Sequence, residues 1–122
     1  MNYVYVGLGG LLGSSARYWV GGLAAARFGE AFPYGTFFIN VSGSFLLGLL
    51  IGVLTPRTDG HAWRLFLGTG FCGGYTTFST YTAETVKLVE DGSLAAACGY
   101  FVGGPVLGLA AAVAGMVLGR AL

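Results

Sequence analysis

The chain has 122 residues, of which 55% are hydrophobic and 9% carry a charge, with a formal net charge of +1. Soluble domains carry about 25% charged residues, so this composition indicates an integral membrane protein and argues against a soluble enzyme. Its six Lys and Arg residues are scattered along the chain. A nucleic-acid-binding surface would need a clustered basic patch, so no nucleic-acid partner is expected.

Four segments are apolar for about 20 residues, the length that a helix needs to cross the hydrocarbon core of a membrane. We predict transmembrane helices at about residues 2–26, 33–54, 61–89 and 93–118, in one all-α domain that covers residues 1–122. The connections are short and polar, so neighbouring helices are antiparallel and both termini lie on one side. No basic region precedes the first apolar stretch, so a cleaved signal peptide is not expected.

The basic residues divide almost evenly between the two sides of this predicted bundle. Arg57, Arg64 and Arg120 lie on the side of the termini, and Arg27 and Lys87 lie on the other. Orientation follows the Lys/Arg bias of the loops, so this chain could insert either way, and copies inserted both ways could form an antiparallel homodimer. The alternative is that insertion factors fix a single orientation.

Four packed helices fill their own core with side chains, so a transport path would need an interface between two copies. Pairs of small residues four positions apart let helix backbones approach closely, within one copy or between copies. The chain has five such pairs: Gly9/Gly13, Gly48/Gly52, Gly99/Gly103, Gly104/Gly108 and Gly115/Gly119.

The second predicted helix carries a polar face, because Thr36, Asn40 and Gly43 follow one another at helical spacing. Polar groups inside a membrane are costly and are therefore candidates for a functional site. The Asn40 amide offers two N–H donors. It either contributes to a binding site or makes a hydrogen bond between helices that fixes their packing.

The third predicted helix contains a stretch, residues 68–82, rich in glycine and then in hydroxyl residues. Such a sequence disfavours a continuous helix, so we expect a break near the middle of the membrane. At Gly73, Gly74 and Thr76, carbonyl oxygens would lose their helical partners. Converging carbonyls without carboxylates suit Na⁺ or K⁺ better than Mg²⁺. The alternative is a kink whose free groups are satisfied by threonine hydroxyls.

Beyond this break, Phe78 and Tyr81 project from one helix face, followed one turn later by Glu84. Aromatic rings are electron-poor at their edges and can hold a small anion there, although core packing is the commoner role of such a pair. Ser79 and Thr80 add hydroxyl donors nearby.

Arg17 is the only charged residue well inside the first predicted helix. We expect its long side chain to reach the membrane interface. The alternatives are a pair with Glu84 or with carbonyl groups at a helix end.

These residues form three motifs that resemble those of the CrcB/Fluc fluoride channels. The motifs occur in the family's order and cover nearly the whole chain. They comprise Gly9, Gly10, Gly13, Arg17 and Tyr18, then Gly35, Thr36, Phe37, Asn40, Gly43 and Phe45, then the stretch from Gly70 to Tyr81.

The resemblance implies a dual-topology homodimer in the bacterial inner membrane that passively exports cytoplasmic fluoride through two antiparallel pores at the dimer interface. It also implies a central structural Na⁺ bound by the carbonyls of Gly73 and Thr76. Fluoride, the lipid bilayer and a second copy of the chain are the implied partners. The implied fluoride-pore residues are Thr36, Asn40, Phe78, Ser79, Thr80, Tyr81 and Glu84, with Arg17 at a vestibule.

Two features of the chain depart from the family pattern. Tyr81 falls where the family usually has a second phenylalanine. On the fourth predicted helix Tyr100 could continue the polar path, but Gly103, Gly104 and Gly108 stand where further hydroxyls would be expected.

Two other classes of membrane protein compete with the channel interpretation. A small drug-proton antiporter needs a carboxylate in its first helix, where this chain has Arg17 and no acid. A non-transporting assembly subunit would use the glycine pairs. It gives no reason for Asn40 to accompany a hydroxyl-rich third helix.

Overall fold

The computed structural model describes residues 1–122 and is all-helical, with 85% of the residues in helices and no strand. This confirms the all-α prediction. The long helices are α1 (Asn2–Phe28), α2 (Tyr34–Leu54) and α6 (Leu94–Ala121). Between α2 and α6 lie α3 (His61–Trp63), a π-helical segment (Arg64–Cys72), α4 (Gly73–Tyr75) and α5 (Phe78–Glu90). Two helices, α2 and α6, are long and apolar enough to cross a membrane, with mean hydropathies of 2.1 and 2.0.

The turns that end α1 and α5 are each made by a glycine with positive φ. Gly29 has φ 76° and Gly92 has φ 79°. Side chains rarely tolerate this conformation, so glycine lets the chain reverse directly after each helix. The end of α2 is capped differently, because the Arg64 guanidinium donates to the backbone carbonyls of Leu54 and Arg57.

The helices approach one another closely through glycine. α2 packs mainly against α6, and α1 packs mainly against the π-helical segment. A methyl group built on Gly48 would overlap the Ala112 carbonyl oxygen of α6, and one on Gly13 would overlap the Phe71 carbonyl oxygen. Three predicted glycine pairs therefore act within the chain, namely Gly9/Gly13, Gly48/Gly52 and Gly115/Gly119. By contrast, no atom of the chain would meet a methyl group on Gly99.

The protein core within one copy is small. Only 18 of the 122 residues are buried, and the main apolar cluster consists of Tyr81, Leu88, Ala97 and Tyr100. Many large apolar side chains remain exposed along all three long helices. Cys72 is buried, whereas Cys98 is exposed on α6. Surface of this kind is suited to contact with hydrocarbon or with a second copy.

Helical conformation stops at Thr76 and Thr77, between α4 and α5. Thr76 has φ −82° and ψ 158°, and Thr77 has φ −149° and ψ 118°, so both are extended. Of the three positions at which the break was expected, Thr76 is extended, whereas Gly73 and Gly74 are helical. The extended pair follows them. Its second residue uses its side chain to cap α5, since Thr77 Oγ1 accepts the Thr80 N–H at 3.2 Å.

Candidate functional site at the helix interruption

A reciprocal pair of hydrogen bonds joins α2 to the extended residues. Asn40 Nδ2 donates to the Thr77 carbonyl at 3.0 Å, and the Thr77 N–H donates to Asn40 Oδ1 at 2.8 Å. The amide thus replaces the helical partners that Thr77 lacks. Because a primary amide has two N–H donors, one donor of Asn40 remains for a ligand. The interhelical bond and the binding role, posed above as alternatives, are therefore compatible.

Two carbonyl oxygens at the interruption lack the donors that a continuous helix would supply. The Thr77 N–H, which would bond Gly73, goes to Asn40, and the Thr80 N–H, which would bond Thr76, goes to the Thr77 hydroxyl. The chain has no cluster of His, Cys, Asp or Glu that could hold a metal. Neutral carbonyl oxygens of this kind are ligands that suit a monovalent cation such as Na⁺ better than Mg²⁺.

The side chain of Arg17 is held at the same interruption. Its Nε donates to the Gly74 carbonyl at 3.0 Å, and the residue is half-buried. This contact is the alternative of a carbonyl group at a helix end, so the expectation that Arg17 extends to the membrane interface is wrong, as is the alternative of a pair with Glu84. The physical reason is that the Gly74 carbonyl lies two residues before the extended pair, where the guanidinium donates a hydrogen bond to it. This places a fixed positive charge beside the polar site.

The two aromatic residues of α5 lie together but differ greatly in exposure. The ring centroids of Phe78 and Tyr81 are 5.9 Å apart, with planes tilted by 44°. Phe78 is 77% exposed, whereas Tyr81 is 6% exposed. Both line a cavity of about 460 Å³, here called the central cavity, together with Asn40, Ser44 and Tyr100. The central cavity therefore brings two aromatic rings and an amide to the same small ligand.

The hydroxyl group of Tyr81 forms a hydrogen bond with α6. It donates to the Phe101 carbonyl of α6 at 2.5 Å. In an α-helix that carbonyl would accept the N–H of the residue four positions later, which is Pro105 and has no N–H. The Tyr81 hydroxyl thus takes the place of the N–H that Pro105 lacks, and the residue still lines the central cavity.

A second polar contact links α5 to α6. The Tyr100 hydroxyl donates to Glu84 Oε1 at 3.0 Å, and Tyr100 is only 1% exposed. Glu84 and the buried Thr36 also line a smaller cavity of about 330 Å³ that includes Lys87. Polar side chains thereby extend from this smaller cavity, at Glu84, into the central cavity, at Tyr100 and Asn40.

The hydroxyl residues at the start of α5 have separate surroundings. Ser79 is exposed and its side chain makes no hydrogen bond within the chain. Thr80 Oγ1 accepts from the Thr77 hydroxyl at 3.0 Å. Thr82 and Thr85 donate to backbone carbonyls three and four residues earlier. Ser79 thus offers a free hydroxyl outward, and the Thr80 hydroxyl keeps its own hydrogen available for donation.

Three residues of this site were missed in the sequence analysis. Thr77 supplies both backbone bonds to Asn40, and Ser44 lines the central cavity. Pro105 has no N–H, which leaves the Phe101 carbonyl free to accept the Tyr81 hydroxyl. A signal for Ser44 existed, because it follows Asn40 by four residues and so lies on the same helix face. The spacing of Phe101 and Pro105 likewise indicated a carbonyl without a helical donor.

Fold and site together define an all-helical protein with a polar and aromatic cavity beside an interrupted helix. The chain matches the family model described as CrcB-like protein, Camphor Resistance (CrcB), over residues 4–116. It therefore belongs to the CrcB family. Together with the two long apolar helices, this membership makes the chain a membrane protein.

Relatives of known name match along nearly the full chain. A protein of Acidobacterium capsulatum named fluoride-specific ion channel FluC is 49% identical over 121 residues, which is 98% of this chain and 97% of the relative. The fluoride-specific ion channel FluC 2 of Nitrobacter hamburgensis is 46% identical, covering 100% and 99% of the two chains. FluC 1 of Listeria monocytogenes is 44% identical, covering 98% of each.

Proposed function

We propose that this protein is a fluoride-selective passive channel that exports cytoplasmic fluoride across the bacterial inner membrane. The observation that carries the proposal is near-complete alignment, at 44–49% identity, with relatives named fluoride-specific ion channels. The site is compatible with this function, since it brings an amide and two aromatic rings to one small cavity. No acid lies in α1, so the antiporter interpretation has no support.

The chemistry of the site suits a small, strongly hydrated anion. Fluoride gives up water only where donors replace it at close range, and the free Asn40 N–H can supply one such bond. The ring edges of Phe78 and Tyr81 supply weak positive charge in the same cavity. Neutral donors bind the ion without trapping it, which conduction requires. A narrow path of this kind would reject the larger chloride ion.

The remaining predicted pore residues have supporting roles in this proposal. Thr36 and Glu84 line the smaller cavity at one end of the path, and Glu84 accepts the hydrogen bond that orients Tyr100. Ser79 offers its hydroxyl outward, and Thr80 stabilises the start of α5. The Arg17 guanidinium, held at the Gly74 carbonyl, would raise the local anion concentration at a vestibule.

We further propose that the channel is an antiparallel homodimer with four transmembrane helices in each copy, the third being broken. Gly73, Phe78 and Ser79 face outward from one copy, although a polar hydroxyl and an interrupted backbone are poorly suited to lipid. A second copy would cover them and complete a pore. The even division of Lys and Arg between the two sides supports insertion in both orientations.

A structural Na⁺ at the centre of this dimer is the remaining part of the proposal. The carbonyls of Gly73 and Thr76, which have no helical donors, would hold it. A cation supplies charge compensation for carbonyl oxygens that would otherwise face one another across the interface.

Anion efflux from liposomes tests the function. Purified protein is reconstituted in liposomes loaded with fluoride and chloride, and each anion is followed with its own electrode. We expect fast fluoride release and no chloride release. Asn40→Leu and Phe78→Ala should abolish fluoride release, whereas Phe38→Ala, which removes an exposed phenylalanine of α2 outside the cavity, should not. A folded preparation that releases no fluoride would refute the proposal.

A further inference from the structure

Two cavities meet at three residues. The central cavity shares Asn40, Ser44 and Phe78 with a groove of about 740 Å³ that runs between α2 and the π-helical segment. Any solute that moves between the two spaces passes this junction. Asn40 and Phe78 have already been placed in the proposed pore, and Ser44 is the third member.

Few hydrogen-bond donors are available in the central cavity. Polar side chains come only from Asn40, Ser44, Tyr81 and Tyr100 among its lining residues. The Tyr81 hydroxyl is committed to the Phe101 carbonyl, and the Tyr100 hydroxyl is committed to Glu84. An anion at the junction is therefore left with the free Asn40 N–H and with Ser44.

The wall opposite Ser44 carries no donor. Beyond Tyr100, α6 lines the central cavity with Gly104, Pro105, Gly108, Leu109 and Ala112 only. A methyl group built on Gly108 would lie 3.5 Å from Ser44 Oγ, at ordinary contact distance. Ser44 from α2 therefore occupies the space into which a hydroxyl side chain at position 108 would project.

The hydroxyl of Ser44 can turn toward a ligand without leaving a polar group unsatisfied. It donates to the Asn40 carbonyl at 2.7 Å, one turn earlier in α2. A carbonyl inside a helix has a backbone partner of its own, so this extra bond is dispensable. A serine hydroxyl carries one hydrogen that rotates to the best acceptor present. An arriving anion competes successfully for it, because hydrogen bonds to charged acceptors are stronger than those to neutral ones.

We propose that Ser44 is an ion-contacting residue at this junction and replaces, from α2, the hydroxyl that α6 lacks at Gly108. The inference rests on the proposed fluoride function and adds a specific donor to it. The hydroxyl hydrogen rotates from the Asn40 carbonyl to the anion as the ion passes, and it returns afterwards.

Moving the hydroxyl across the cavity tests the inference. Fluoride efflux is compared for the wild type, Ser44→Ala, and Ser44→Ala combined with either Gly108→Ser or Gly108→Ala. Ser44→Ala should lower the rate by about tenfold, as expected when one hydrogen bond to an ion is lost. Adding Gly108→Ser should restore most of the rate because its hydroxyl enters the same space, and Gly108→Ala should not.

A serine on the same helix provides the matched control. Ser42 donates to the Ile39 carbonyl and also contacts the Tyr75 hydroxyl, outside the junction. Ser42→Ala should leave the efflux rate close to that of the wild type. The inference is overturned if Ser44→Ala conducts like the wild type, if Ser42→Ala loses as much, or if Gly108→Ser and Gly108→Ala behave alike. A wild-type protein without fluoride efflux would instead refute the channel function itself.

Discussion

Replacing Tyr81 by phenylalanine removes one oxygen atom and leaves the Phe101 carbonyl of α6 without a donor. The helix cannot compensate, because position 105 is a proline without an N–H. In a hydrocarbon environment no water takes the place of the lost hydroxyl. The perturbation is thus an unsatisfied carbonyl, with the aromatic edge at position 81 preserved.

The unsatisfied Phe101 carbonyl determines how much Tyr81→Phe lowers the free energy of unfolding. An unsatisfied polar group costs about 1–3 kcal/mol, while hydrogen bonds between membrane helices average about 0.6 and reach about 1.7 kcal/mol. The carbonyl has no alternative donor, so we expect about 1.5 kcal/mol, near the upper membrane value. With Pro105→Ala the helix regains its own N–H donor, and Tyr81→Phe should then cost about 0.5 kcal/mol or less. The coupling between the two positions is therefore about 1 kcal/mol.

A double-mutant cycle measures this coupling directly. The wild type, Tyr81→Phe, Pro105→Ala and the double variant are unfolded with SDS in mild-detergent micelles. Unfolding is followed by far-UV circular dichroism. Independent sites add within about 0.3–0.5 kcal/mol, so a coupling below that range would refute the pairing of hydroxyl and proline. Equal destabilisation by Tyr81→Phe in both backgrounds is the outcome that contradicts the reasoning.

Three further predictions concern packing, capping and the proposed cation. Gly48→Ala forces a methyl group into the Ala112 carbonyl and should lower the free energy of unfolding by about 1–3 kcal/mol. The control Gly7→Ala, whose methyl group meets no atom of the chain, should not lower it. Equal stabilities of the two variants would contradict the close approach of α2 to α6. Thr77→Val removes the α5 cap and should cost about 0.5–2 kcal/mol, while Thr77→Ser should retain most of the stability; chemical unfolding compares them. Replacing Na⁺ by a large organic cation should reduce fluoride efflux and promote dissociation of the dimer, reversibly on Na⁺ addition; unchanged efflux after exhaustive dialysis would refute the sodium proposal.

Much of the helical architecture could be predicted from local sequence. Long apolar runs bounded by Gly29, Pro33 and Gly92 gave helix positions close to those observed, because helix ends depend on nearby residues. The π-helical conformation of Arg64–Cys72 could not be predicted in this way. It lies where Gly70 packs against α1 backbone, with the Val6 carbonyl oxygen 2.8 Å from where a methyl group would be. That is a tertiary contact, which local helix propensity cannot predict.

The sequence predicts which helix face carries the site residues, but it does not predict their hydrogen-bond partners. Spacing placed Thr36 and Asn40 on one face of α2, and Thr36 is buried there. The partner of Asn40 is Thr77, 37 residues later, and only the folded arrangement brings them together. For the same reason the direction of Arg17 was predicted wrongly, because the carbonyl that holds it belongs to a distant segment.

The close contact between α2 and α6 has a consequence for how the chain is made. The glycine surface of α2 has its partner in α6, where Gly48 meets Ala112 and Gly52 meets Met116 and Gly119. Since synthesis proceeds from the N-terminus, this surface of α2 stays uncovered in the membrane until α6 has been inserted. A ribosome stalled before α6 would therefore leave a product that lacks its principal helix–helix contact.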